Sequence, residues 1–200
     1  MSDSTARQRA LRLLAADEDP DALERFAAMA RSLGHEVIAS AVDLAEATEA
    51  VAREDPDLAV VVVHDDQAHA LALIEEIGAF ARGPVVALLD EDDAAFVADA
   101  SERGIFASCR PTDAETLQSA LTVALDRHAE MERLAGEVGQ LQGALERRAL
   151  IERAKGILME RHGLDERAAF ERLRSHARSR SARVVDIADQ VAHRGLDPGA

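Results

Sequence analysis

The 200-residue chain has no tryptophan and no tyrosine, a single cysteine and a single lysine. Without Trp and Tyr, its core must be assembled from Ala, Leu, Val and Ile with five Phe, a helix-rich composition. The lone Cys109 excludes an intramolecular disulfide and a multi-cysteine zinc site and suits a reducing compartment, so a cytoplasmic location is expected. No long apolar stretch precedes the first acidic cluster, Asp17 to Asp19, so neither a secretory leader nor a membrane span is expected. Catalysis lacks a motif: no Gly-rich phosphate loop follows an apolar run, and there is no nucleophile elbow. The chain reads as a non-enzyme. His64, Asp65, Asp66 and His69 sit in one short stretch without metal-ligand spacing and read as a solvated loop.

Net positive charge is also missing, at −15 overall, but the average hides an asymmetry. From Glu146 to Arg183 eleven Lys/Arg stand against six acids, a net of +5 that leaves −20 on the remainder. An acidic body therefore carries a basic C-terminal module, the local positive potential that phosphate binding needs.

Up to about residue 113 the chain alternates short apolar runs with helical periodicity. "ALRLLAA", "HEVIAS", "PDLAVVVVHDD", "PVVALLDEDD" and "IFASCRPTD" hold the runs; "DALERFAAMARSLG", with Leu23, Phe26, Ala30 and Leu33 on one face, begins the helices. Five strands alternating with five helices predict a doubly wound parallel sheet, and the unbroken apolar "AVVVV" predicts a central strand covered on both faces. In such a sheet the functional crevice lies at the carboxyl ends of the strands.

On these residues the stretch from about Leu11 to Asp126 resembles a response-regulator receiver domain, a flavodoxin-like fold. In that family two acids after the first strand bind Mg²⁺ and an Asp ending the third strand takes a phosphoryl group. Asp17 and Glu18 match the acid pair, but "PDLAVVV" places Val62 at the phosphoacceptor position. Leu89 replaces the small hydroxyl residue expected after the fourth strand, and Arg110-Pro111 replaces Lys-Pro. A valine cannot form an acyl phosphate, so a pseudo-receiver with no phosphoacceptor is expected. Asp17, Glu18 and Asp19 read first as solvated strand-end and cap residues, Asp19 before Pro20 marking a helix start. Weak Mg²⁺ binding at Asp17 and Glu18 is the alternative, and no other cofactor is implied.

From Asp113 to His162 there is no proline, which predicts one long helix. Leu117, Leu121, Ala124, His128, Met131, Leu134, Val138, Leu141 and Leu145 recur at spacings of three and four, a coiled-coil seam that predicts a parallel homodimer. Gly136, Gly139 and Gly143 weaken that helix.

The segment from Arg148 to Ala192 carries "AKGILM" (Ala154 to Met159) and "AFERLRSHA" (Ala169 to Ala177), and on these motifs it resembles the ANTAR domain, a three-helix RNA-binding module of transcription antiterminators. Independently of the resemblance, three apolar faces can share one small core: Ile151, Ala154 and Leu158 with Ile157 at its edge; Ala169, Phe170, Leu173 and Ala177; Val184, Ile187, Ala188 and Val191. Gly163 is expected to close the first helix, Asp165 to cap the second and Ser181 the third. Gly156 leaves a gap for close approach, read first as a neighbouring helix and otherwise as a phosphate. Arginine is the default cation here, so the lone Lys155 reads as a compact ammonium for an RNA phosphate or loop base, with an ordinary surface lysine as the bland alternative. Arg153, Arg161, Arg174, Arg178, Arg180 and Arg183 complete the expected RNA-binding set. Ser181 and Ala182 depart from the family's Asn and basic residue at that edge. With Phe170 expected in the core, no aromatic platform is foreseen.

The expected fold class is therefore α/β plus all-α. A disordered tail (1–8) would lead into a receiver-like domain (9–126), a helical connector and coiled coil (113–148), an ANTAR domain (148–194) and a second tail (195–200). By resemblance the function is antitermination through RNA stem-loops in nascent transcripts; since no phosphoacceptor is expected, control by a regulatory protein partner on the receiver-like surface, or by abundance, is expected instead. A protein-interaction adaptor and a DNA-binding response regulator are the alternatives.

Overall fold

The computed structural model describes residues 9–64, 66–110 and 112–198. They form two compact units that divide after Glu132. The tail expected at 1–8, Asp65 and Pro111 lie outside the described residues.

The first unit alternates β1 (Arg12–Ala16), α1 (Pro20–Ser32), β2 (Glu36–Ala41), α2 (Leu44–Glu54), β3 (Leu58–Val63), α3 (Gln67–Phe80), β4 (Val85–Leu89), α4 (Ala94–Glu102) and β5 (Ile105–Cys109), and continues into α5 (Ala114–His162). The strands pair in parallel in the order β2-β1-β3-β4-β5, the flavodoxin-like receiver arrangement. Each of α1 to α4 opens on an aspartate, Asp19, Asp43, Asp66 and Asp93, whose carboxylate accepts first-turn backbone N–H groups that no carbonyl of the helix can reach. Asp66 is thus a cap, bonded to the His69 N–H at 2.9 Å.

Strand side chains alternate between two cores. Leu14, Ala16, Ala59, Val61, Val63, Val85, Ala87 and Leu89 pack with residues of α2, α3 and α4. Leu13, Ala15, Leu58, Val60, Val86 and Leu88 pack with Leu23 and Phe26 of α1 and Leu117, Leu121 and Ala124 of α5. The expected coiled-coil seam is therefore divided. Its first members are fully buried in the receiver's own core, and His128 packs edge-on against Phe106, their ring centroids 5.0 Å apart. Met131, Leu134, Val138, Leu141 and Leu145 remain exposed. A three-four repeat records only that one helix face is apolar, and here the same repeat first meets a sheet.

In the second unit, α5 passes unbroken through Gly136, Gly139 and Gly143 and ends at Gly163, whose positive φ of 63° lets the chain turn. Asp165 caps α6 (Glu166–Ser179), accepting the Ala168 N–H at 2.7 Å. α7 (Val184–Arg194) follows. Ala154, Leu158, Ala169, Leu173, Ala177, Ile187, Ala188 and Val191 form the shared core. Three expectations change. Ser181 does not cap α7: it takes a left-handed φ of 50°, Arg183 stands at the N-cap, and the Arg183 guanidinium grips Asp186 through two hydrogen bonds of 2.9 and 2.8 Å. Phe170 lies outside the core, 37% exposed, because Ala169, Leu173 and Ala177 at spacings of four already fill the inward stripe. The stretch after Arg194 is tied down, with Leu196 packed on the bundle and Asp197 bonded to His162 at 3.0 Å.

Among the described residues, no helix is long and apolar enough to cross a membrane.

Candidate functional site

Two places carry functional side chains, one in each unit. The first is the carboxyl edge of the sheet. Strand alternation puts Asp17 (in step with Leu13 and Ala15), His64 (with Val60 and Val62) and Asp90 (with Val86 and Leu88) on one face at the ends of three adjoining strands. The register pairs Ala16 with Val61 and Val62 with Leu88, so the row that follows Ala16 and Val61 brings Val62 beside Asp17, the position a phosphoacceptor would occupy by resemblance.

His64 organises this edge. Its Nε2 lies 2.9 Å from Asp17 Oδ2 and its Nδ1 2.6 Å from Asp90 Oδ2. Asp17 is buried, with its other oxygen accepting the Asp19 N–H at 3.0 Å. Burial disfavours the charged imidazole, but the Asp90 hydrogen bond and the charges of Asp17 and Asp90 outweigh it and raise the His64 pKa above its usual 6.5. Two readings from sequence are thereby corrected: His64 is not a solvated loop residue, and Asp17 is not a solvated strand end. The pairing was missed because His64 and Asp90 lie far apart in sequence, although the period-two pattern of their strands already placed them on one face.

The Mg²⁺ site that the receiver fold implies does not fit this donor set. Mg²⁺ demands oxygen ligands at about 2.0–2.1 Å in octahedral array. Here one Asp17 oxygen is held by a backbone N–H and the other by an imidazole nitrogen, Val62 beside Asp17 in the sheet offers no oxygen ligand, and Glu18 is exposed. Among the described residues, no group of three or more His, Cys, Asp or Glu is arranged to hold a metal ion. Arg110 turns to Asp92, 3.4 Å away.

The second place is the surface of the C-terminal helices. Lys155 keeps only 6% of its surface exposed, and its Nζ donates to Glu152 at 2.7 Å and to Glu166 at 2.6 Å. The hydrogen bonds it donates to Glu152 and then Glu166 raise its pKa, and the latter bond lowers that of Glu166. It is not an ordinary surface cation but a clasp between α5 and the first turn of α6. Gly156 is exposed, and no described atom outside its own helix lies within 4 Å of the point a Cβ would take, so no neighbouring helix uses its gap.

The remaining arginines are at the surface. Arg153 and Arg161 are exposed on α5; Arg174, 3.5 Å from Glu171, and Arg178 are exposed on α6; Arg180 ends α6 and Arg183 starts α7. Phe170, Arg174 and Arg178 recur every four residues, which stacks an aromatic ring and two guanidinium groups along one stripe of α6.

The ANTAR domain profile matches residues 139–191, a span that begins within the stretch expected as connector and takes in the latter half of α5, all of α6 and most of α7. The transcriptional regulatory protein PdtaR of Mycobacterium tuberculosis is 31% identical over 181 residues, 90% of this chain and 88% of that protein. This chain belongs to the ANTAR-domain response regulators. A second relative, the aliphatic amidase regulator of Pseudomonas aeruginosa, is 32% identical over 122 residues, 60% of each chain. For the receiver fold, the signal receiver domain of a modulated diguanylate cyclase from Desulfovibrio desulfuricans superposes with a TM-score of 0.53 at 17% identity, over 62% of this chain and 99% of that domain. As an ANTAR-domain response regulator, the chain thus joins a receiver-type sheet whose strand-end acids are closed by His64 to helices that display arginine and one phenylalanine outward.

Proposed function

We propose that this ANTAR-domain response regulator is an RNA-binding antitermination factor that recognises stem-loop RNA in nascent transcripts as a dimer, and that its receiver-like domain has no phosphoacceptor. The observation that carries the reading is the set of exposed arginines between Arg147 and Arg183, a stretch of net positive charge on an otherwise acidic chain and within the span that matches the ANTAR domain. Arginine forks suit phosphate oxygens and base edges. Phe170 adds the stacking face that the sequence reading had placed in the core. Bound to a stem-loop that overlaps a terminator hairpin, such a module would keep the terminator from forming. The row Met131, Leu134, Val138, Leu141 and Leu145 is the dimer seam in this reading. It is apolar, exposed and spaced three and four apart, so a second copy of the same helix can bury it. Two bound modules would then engage paired stem-loops with a gain in effective concentration.

The test is fluorescence anisotropy with a transcript carrying tandem stem-loops, duplex DNA as competitor, and a salt series. RNA-selective binding that weakens steeply with salt supports the reading, and Arg174→Ala with Arg178→Ala should weaken binding and flatten the salt dependence by about one unit of slope per phosphate contact removed. Equal competition by duplex DNA would favour a DNA-binding regulator. A folded dimer that binds neither nucleic acid would favour a protein-interaction adaptor.

A further inference from the structure

The edge of the sheet carries an inference that does not depend on RNA. An ionised carboxylate only accepts hydrogen bonds, so an imidazole whose two nitrogens each approach a carboxylate oxygen satisfies both only when each nitrogen carries a proton and the ring is a cation. His64 is in that position, at 2.9 Å from Asp17 and 2.6 Å from Asp90. The side chain reaches from the end of β3 to the residues following β1 and β4, so one ring bridges three adjoining strands. The surroundings are mostly acidic: Glu91, Asp92 and Asp93 line the same shelf as His64 and Asp90, and Glu18 follows Asp17, while the nearby cations Arg110 and Arg25 are paired with Asp92 and Asp19 at the rim. Repulsion among so many carboxylates is what a bound cation would relieve in a receiver-type site. Here Asp17 is buried, with both oxygens already hydrogen-bonded.

We propose that His64 is a built-in substitute for the divalent cation, closing the strand-end carboxylates of this receiver-like domain so that the domain neither needs nor takes a metal ion. The exchange of Val62 for the phosphoacceptor and the presence of His64 two residues later on the same strand face then form one coherent change. The first removes a negative charge and an oxygen ligand, and the second supplies the positive charge that remains necessary.

The experiment uses the full chain and three variants: His64→Gln, which keeps polarity but loses charge; His64→Lys, which keeps the charge; and Asp17→Asn combined with His64→Gln. Mn²⁺ binding is followed by electron paramagnetic resonance, and the thermal unfolding midpoint is measured in EDTA and in millimolar MgCl₂. The unmodified chain should bind no Mn²⁺ at this edge and melt at the same temperature in both buffers. His64→Gln should melt lower in EDTA, recover part of the loss in Mg²⁺ and gain Mn²⁺ binding that vanishes in the double variant, while His64→Lys should remain metal-insensitive. Mn²⁺ binding by the unmodified chain, accompanied by an Mg²⁺-dependent rise in its midpoint, would overturn the proposal. So would a His64→Gln variant that melts lower yet ignores metal, because His64 would then be a bridge between strands and not a replacement cation.

Discussion

Gly156→Ala separates the two uses of a glycine inside a helix. Gly156 lies in α5 between Lys155 and Ile157, exposed, with Arg153 and Glu160 exposed nearby on the same side of the helix. A Cβ placed there meets no described atom outside the helix's own backbone within 4 Å, so the methyl group brings no clash. The substitution therefore removes only the backbone freedom of glycine and should stabilise the C-terminal unit by about 1 kcal/mol, roughly a fivefold gain in the folded-to-unfolded ratio. Urea unfolding followed by helix circular dichroism would show a raised midpoint with an unchanged slope. If RNA approaches the backbone through this gap, the same variant should bind the tandem stem-loop more weakly although it is more stable. A lowered midpoint would refute the packing argument, since it would mean that something in the folded chain fills the gap. A raised midpoint with unchanged RNA binding would remove Gly156 from the interface and leave the arginines to carry it.

Four further outcomes follow from the geometry. Phe170→Ala should cost about 1–3 kcal/mol of RNA binding if the ring stacks on a base, and should lower the melting midpoint less than truncation of a fully buried core residue such as Leu173 does, since the ring is partly exposed; anisotropy beside thermal unfolding tests both. Leu141→Glu on the exposed row of α5 should shift the chain toward monomer in analytical ultracentrifugation and leave the sheet intact, and an unchanged mass would sink the dimer seam. Burial pushes the Cys109 thiol up to about 11 from its usual 9.0, so at pH 8 its thiolate fraction, and with it the alkylation rate, should be roughly a hundredfold below that of a small-molecule thiol. The raised pKa of His64 makes the folded state bind its proton more tightly than the unfolded chain does. The bridge should therefore contribute its full stability below the ordinary value of 6.5 and lose it as pH rises through the folded pKa, a dependence that should be absent in His64→Gln.

Much of this architecture was legible because the local signals agree with one another. Unbroken runs such as Leu58–Val63 need two covered faces, and the sheet supplies them. Asp165 and Gly163 punctuate the last helices as their types suggest. What escaped the sequence were choices that depend on a partner. Ala169 and Phe170 are neighbours and both apolar, and only the packed bundle decides that the smaller one turns inward. The α5 repeat does not announce that Leu117 and Leu121 meet a sheet while Leu141 meets solvent. Lys155 looked available because Glu152 and Glu166 flank it on two different helices, and the distance between their carboxylates exists only in the folded unit. His64 and Asp90 share a strand parity that could be read from the sequence, but their hydrogen bond required the order of the strands.

The clasp at Lys155 also makes this chain its own chemical clock. It holds the only side-chain amine in the sequence, protonated and sealed between two carboxylates, so an acylating reagent finds no nucleophilic lysine while α5 and α6 stay joined. Each side-chain amide that appears over time therefore records one opening of that joint. Mass spectrometry can count those events at a single residue, with no competing lysine anywhere in the chain.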